Sequence, residues 1–137
     1  MDFSKLKNKI YFNNKFIAAK NANIHVLNHS LHFATAVFEG IRVYNGKSLF
    51  LEDHVSRLFN SSKLMKLNIN ISKKKILEVI KKLIVLNKIE QGYIRPIIFR
   101  SSHSMSPETL NCNTHVVIAC WEWGNLFKSS GISLDIA

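Results

Sequence analysis

The chain has 137 residues, 47% of them hydrophobic and 20% charged, which is too apolar for disorder and enough for one globular domain with a real core. No run of about 18 apolar residues is available to span a bilayer, and the opening MDFSKLKNKIYFNNK lacks the continuous apolar stretch of a secretion signal, so the expected location is the cytoplasm. The formal net charge of +10 suggests nucleic acid at first, but 15 Lys against 4 Arg, with 14 Asn and 16 Ile, is a bias spread along the whole chain.

KIYFNNKFIAA, residues 9–19, reads as a hairpin turning at Asn13-Asn14. ANIHVLNHSLHFATA follows as a strand and then a short turn or helix. VFEGIRVY, 37–44, reads as one strand, with Val37, Glu39, Ile41 and Val43 on one face and Phe38, Gly40, Arg42 and Tyr44 on the other. Asn45-Gly46 is a tight-turn dipeptide, and SLFL, 48–51, is the expected partner strand. Asp53 is a candidate N-cap for a helix to about Leu67, with Val55, Leu58, Phe59 and Met65 at helical spacing. Ser72 caps a second helix whose buried stripe is Ile76, Ile80, Leu83 and Ile84, leaving the lysines of SKKKILEVIKKL in water. GYIRPIIFR, 92–100, and THVVIACWEW, 114–123, are apolar strands joined by the polar loop SSHSMSPETLNCN.

This order predicts an α+β fold, a two-layer sandwich with a mixed or antiparallel sheet and two helices on one face. GISLDIA alternates like a strand and then stops, so a second, truncated domain is expected to start in 128–137, after a first domain at 1–127. Cys112 and Cys120 have neither ligand nor scaffold spacing and are expected as free thiols. Neither nucleic acid nor a membrane is expected as a partner.

His29 and His32 stand three apart without acidic or thiolate ligands beside them, which favours core or loop histidines over a metal site. There is no GxSxG and no glycine-rich phosphate loop. What remains is a set of arginines and aromatics on apolar elements. Arg57 lies beside the inward stripe of its helix, where it either covers apolar surface with its stem or reaches under the sheet. Tyr93 and Arg95 share a strand face, and Pro96 implies an edge or a break in the ladder there. The pair can hold a carboxylate or simply form a cross-strand polar contact. Gly40 leaves a gap in a bulky face, suited to close approach of a ligand or another backbone. Glu39 and Arg42 point to opposite faces of one apolar strand, so each needs its own partner, at a site boundary or across a subunit contact.

HSLHFATAVFEGIRVYNGK, LEDHVSRLFNSSKLM, YIRPIIF and WEWG, in that order and spacing, resemble the N-terminal part of the branched-chain amino acid aminotransferases of the fold type IV class. The resemblance runs from the first hairpin to about Gly124. The D-amino acid aminotransferases and aminodeoxychorismate lyases share the HxxRL segment but usually lack the FEGIR and YIRP pair.

The resemblance implies transamination of leucine, isoleucine and valine with 2-oxoglutarate, with pyridoxal 5′-phosphate as cofactor and a homodimer or larger homo-oligomer as the assembly. It implies that Arg57 binds the cofactor phosphate, that Phe38 and Trp123 line the substrate pocket, that Tyr93 contacts the substrate α-carboxylate, and that Arg95 meets the distal carboxylate of glutamate. Phe33 stands in the pocket where the family often has tyrosine, and Leu126 or Phe127 replaces another. Ser104 and Ser106 replace residues of a glycine-rich turn. The lysine that joins the cofactor is expected beyond Ala137, so no catalytic residue falls within the chain and a fragment of this extent is expected to be inactive alone. The alternatives are another pyridoxal-phosphate enzyme of the class, a D-amino acid aminotransferase or aminodeoxychorismate lyase, or a degenerate, non-catalytic fragment.

Overall fold

The structure, a computed structural model, describes residues 6–101, 106–107, 112–124 and 133. Its elements are the strands β1 (Lys9–Phe12), β2 (Lys15–Ala18), β3 (Ala36–Phe38), β4 (Ile41–Tyr44), β5 (Lys47–Ser48), β6 (Gln91–Ser101) and β7 (Asn113–Glu122), with helices α1 (His29–Phe33), α2 (Leu51–Leu64) and α3 (Lys73–Leu86). All strand pairs are antiparallel, in the order β2-β1-β7-β6-β4-β5, and β3 pairs with β6 in line with β4. The long β6–β7 pair, in register from Gly92↔Glu122 to Ser101↔Asn113, is the spine of the sheet.

Alternation along the strands builds one core. Ile41, Val43, Ile94, Ile98, Val116, Ile118 and Cys120 point to one face, and α2 and α3 cover it with Val55, Leu58, Ile76, Val79, Ile80, Leu83 and Ile84. This is the two-layer α+β arrangement expected, with the lysines of α3 exposed along its outer side. Among the described residues no helix is long and apolar enough to cross a membrane.

Local signals explain most element ends. Both hairpins turn on two residues of positive φ, Asn13 and Asn14 (43° and 70°) and Asn45 and Gly46 (50° and 70°), the mirror-image turn that suits twisted strands. Ser72 Oγ accepts from Lys75 N at 3.2 Å and caps α3.

Four expectations are corrected. Residues 22–28 form no strand. The expected strand 48–51 is only two residues long: Phe50 turns into the left-handed region (φ 46°), its carbonyl accepts from His54 N, and α2 starts at Leu51. Asp53 therefore sits in the first turn of α2, beside Glu52, where it favours the helix dipole without capping. The 37–44 strand is two strands, broken at Glu39-Gly40. The 127–128 boundary lies outside the described residues.

Candidate active site

The break between β3 and β4 lies against Pro96. β3 ends with Phe38 opposite Ile97, and β4 begins with Ile41 opposite Ile94. Between them, Glu39 N donates to Pro96 O at 3.0 Å. Pro96 has no N–H to return, so the ladder cannot continue there, and Glu39 and Gly40 leave strand geometry. The interruption that the proline implied is present, in the middle of the sheet.

Glu39 faces the helices and is 4% exposed. Arg57, on α2, donates from Nε to Oε1 at 2.7 Å and from Nη2 to Oε2 at 2.6 Å, a side-on bidentate pair. His54, one turn earlier, lies with Nδ1 2.9 Å from Oε2, and because an ionised carboxylate only accepts, Nδ1 carries the proton. The hydrogen bonds from Arg57, opposed by desolvation and aided by His54, hold the Glu39 carboxyl below its ordinary value, and Glu39 raises the Arg57 guanidinium in turn. Arg57 thus does reach under the sheet, yet its side chain stays 68% exposed, so the Nη1 end faces outward.

The other face of the break carries the second group. Arg95 Nη2 donates to the Tyr93 hydroxyl at 3.0 Å, and its guanidinium lies 4.3 Å from the centre of the Phe38 ring. Trp121 and Trp123 pack against Tyr93, the first tilted and the second edge-on, with ring centres 5.3 and 5.1 Å away. Arg42, the cross-strand partner of Tyr93, donates from Nη2 to Gly124 O at 3.2 Å. Arg95 Nε and Arg42 Nη1 are buried with no hydrogen-bond partner among the described residues. Such donors stay stable only if something accepts from them.

The gap at Gly40 is filled by the chain's own side chain. A Cβ there would overlap the Tyr93 hydroxyl and come within 2.8 Å of Cζ, so the glycine makes room for the phenol. This corrects the expectation of a ligand or another backbone at that spot.

Phe38, Tyr93, Arg95 and Trp123 are therefore brought together, whereas Arg57 belongs to the Glu39 cluster on the helix side. Phe33 ends α1 and packs on His29, with ring centres 4.6 Å apart. His29 is a core histidine, 1% exposed, with Nδ1 2.9 Å from Thr35 Oγ1. His32 is exposed and meets Val26 O. Ser104, Leu126 and Phe127 lie outside the described residues. Among the described residues no three side chains of metal-ligating type come together.

Sequence reasoning left the partners of Glu39 and Arg42 unnamed. The signal for the first was present: His54 and Arg57, three apart on one helix side, lie next to the core stripe that the inward face of the strand must meet.

Comparison with known proteins gives the family. The family model for Amino-transferase class IV matches residues 36–135. The branched-chain-amino-acid aminotransferase of Pseudomonas aeruginosa is 36% identical over 119 residues, which cover 84% of this chain and 39% of that protein. The enzyme of that name from Escherichia coli is 33% identical, over 97% of this chain and 45% of its own length. The crystal structure of the Escherichia coli branched-chain amino acid aminotransferase superposes with a TM-score of 0.82 at 31% identity, covering 88% of this chain and 41% of that one. A crystal structure of the T.th. branched-chain amino acid aminotransferase with pyridoxamine 5′-phosphate gives 0.82 at 32% identity, over 90% and 42%. The chain spans less than half the length of these relatives. On the match of its family model across most of its residues, the chain belongs to the class IV amino-transferases.

Proposed function

We propose that this chain forms the N-terminal part of an aminotransferase that uses pyridoxal 5′-phosphate to move an amino group between leucine, isoleucine or valine and 2-oxoglutarate. One observation carries the substrate side: Tyr93, Arg95 and Phe38 combine a phenol, a guanidinium with a buried spare donor and an aromatic wall on one face. The names of the relatives supply the amino acid class.

Each residue has a role that its surroundings permit. The Tyr93 hydroxyl accepts from Arg95, so its own proton is free to donate to an α-carboxylate. Arg42, directly across the ladder, adds charge beside it. Arg95 is the fork for the distal carboxylate of glutamate or 2-oxoglutarate, held over the Phe38 ring. Phe38 and Trp123, both exposed on this face, offer apolar walls that suit a branched side chain. Phe33, on α1, completes the substrate wall by resemblance.

The residues also fit the cofactor. Arg57 has one edge occupied by Glu39 and its Nη1 end exposed, which leaves charged donors for a phosphate. Pyridoxal phosphate, when bound, supplies the electron sink that lets the substrate α-proton leave. The chain's own part is to bind and orient: Arg57 anchors the phosphate, and Tyr93, Arg42 and Arg95 fix the carboxylates of the substrate. The assembly is proposed to be a homodimer or larger and its location the cytoplasm.

The intact gene product, supplied with pyridoxal phosphate, leucine and 2-oxoglutarate, should form glutamate. Turnover of D-amino acids in place of leucine, isoleucine and valine would move it to another branch of the class, and no turnover on any amino acid would refute the reading.

A further inference from the structure

Arg57 is half committed before any ligand arrives. Its Nε and Nη2 are taken by a carboxylate that is itself 4% exposed, held by His54 from a second direction, and anchored through its backbone N–H to Pro96. A guanidinium offers donors on more than one edge, and a side-on pair on Nε and Nη2 leaves the Nη1 end open. Without Glu39, a long exposed side chain would sample many rotamers and lose that freedom on meeting a phosphate.

The geometry points to Glu39 as the positioning residue for the phosphate arginine, with His54 as its brace: Glu39 grips one edge of Arg57 so that the other is presented, already oriented, to a phosphoryl group. This rests on the reading that Arg57 anchors the cofactor phosphate. The charge of Glu39 opposes an approaching anion, but the guanidinium lies between the two in a solvent-exposed setting where repulsion is screened. Orientation is therefore the larger effect, and the two tendencies predict opposite signs.

The test uses the intact gene product freed of cofactor, with dissociation constants measured for pyridoxal phosphate, inorganic phosphate and pyridoxal, which lacks the phosphate. Glu39→Gln should weaken pyridoxal phosphate and inorganic phosphate on the order of 3- to 10-fold, the scale of ordering one long side chain, and leave pyridoxal unchanged. Unchanged or tighter phosphate binding would overturn the inference, as would an equal loss on pyridoxal, which marks a merely structural role. Arg57→Ala should weaken phosphate binding more than Glu39→Gln does, and adding Glu39→Gln to it should weaken binding no further. If Arg57→Ala binds phosphate normally, the reading beneath the inference fails and takes the inference with it. Should Glu39→Gln not fold, Arg57→Lys serves: an ammonium keeps spare donors but not the planar fork that fixes one edge on Glu39 and aims the other, so affinity should fall well below wild type, and wild-type affinity would overturn the two-edge arrangement.

Discussion

Glu39 and Arg57 form a bidentate ion pair across the helix–sheet boundary, with a carboxylate that is 4% exposed and a guanidinium side chain that is 68% exposed. The asymmetry matters, because removing the exposed member strands a buried charge, whereas removing the buried member frees an exposed one. Loss of Arg57 should thus harm folding more than loss of Glu39, with His54 left as the remaining partner of the carboxylate. Urea unfolding of Arg57→Ala against Glu39→Gln measures the difference, and Arg57→Ala/Glu39→Gln should be more stable than Arg57→Ala alone.

The pair also sets a pH window. Arg57 holds the Glu39 carboxyl below its ordinary value, so the native state binds fewer protons there than the unfolded chain, whose carboxyl has the ordinary value of about 4.3. The stability it contributes is fully present above that value and is lost as pH falls through the depressed native one. The difference in unfolding free energy between wild type and Glu39→Gln should stay level from about pH 7 to about pH 5 and shrink at lower pH. A difference that grows on acidification would contradict the sign.

Gly40→Ala places a methyl group on the Tyr93 phenol. Either the ring swings away or the backbone shifts, at a cost of about 1 to 3 kcal/mol. Thermal unfolding reads the loss, and Tyr93→Phe in the same chain should recover part of it, because the worst overlap is with the hydroxyl.

Arg42 and Arg95 flank one tyrosine but should differ kinetically in the intact protein. Arg42→Ala should lower kcat/KM for leucine and glutamate by similar factors, on the order of tenfold, since both carry an α-carboxylate. Arg95→Lys should spare leucine and impair glutamate, since fork geometry is what a distal carboxylate needs. Equal losses on both substrates for Arg95→Lys would remove it from that role.

Ile80, fully buried on α3 against the sheet, tests the core itself. Ile80→Ala should cost about 2 to 5 kcal/mol in urea unfolding.

Local chemistry made much of this legible. Asn-Asn and Asn-Gly announced both hairpins, Ser72 and the 3.6-residue stripe announced α3, and alternation paired Phe38 with Arg42 on one strand and Tyr93 with Arg95 on another, while the strand register is what brings the two pairs to one face. The misses are tertiary. Ser48 to Leu51 reads as strand by composition, but Leu51 is claimed by the helical core, and only the left-handed turn at Phe50 allows it. The break at Glu39-Gly40 is invisible along its own segment, because its cause is a proline more than fifty residues away in a neighbouring strand. Arg57 was legible as a choice between two readings and not as a resolved pair, since the carboxylate that decides the matter comes from across the fold.

Glu39 and Gly40 are consecutive, yet one braces the arginine below the sheet and the other cradles the tyrosine above it. A displacement of that dipeptide by a fraction of an ångström would be felt on both sides at once, so the proposed phosphate and substrate contacts would share a fulcrum. Attempts to re-engineer one specificity here should expect to disturb the other, and alterations at Arg95 or Trp123 offer the cleaner handle.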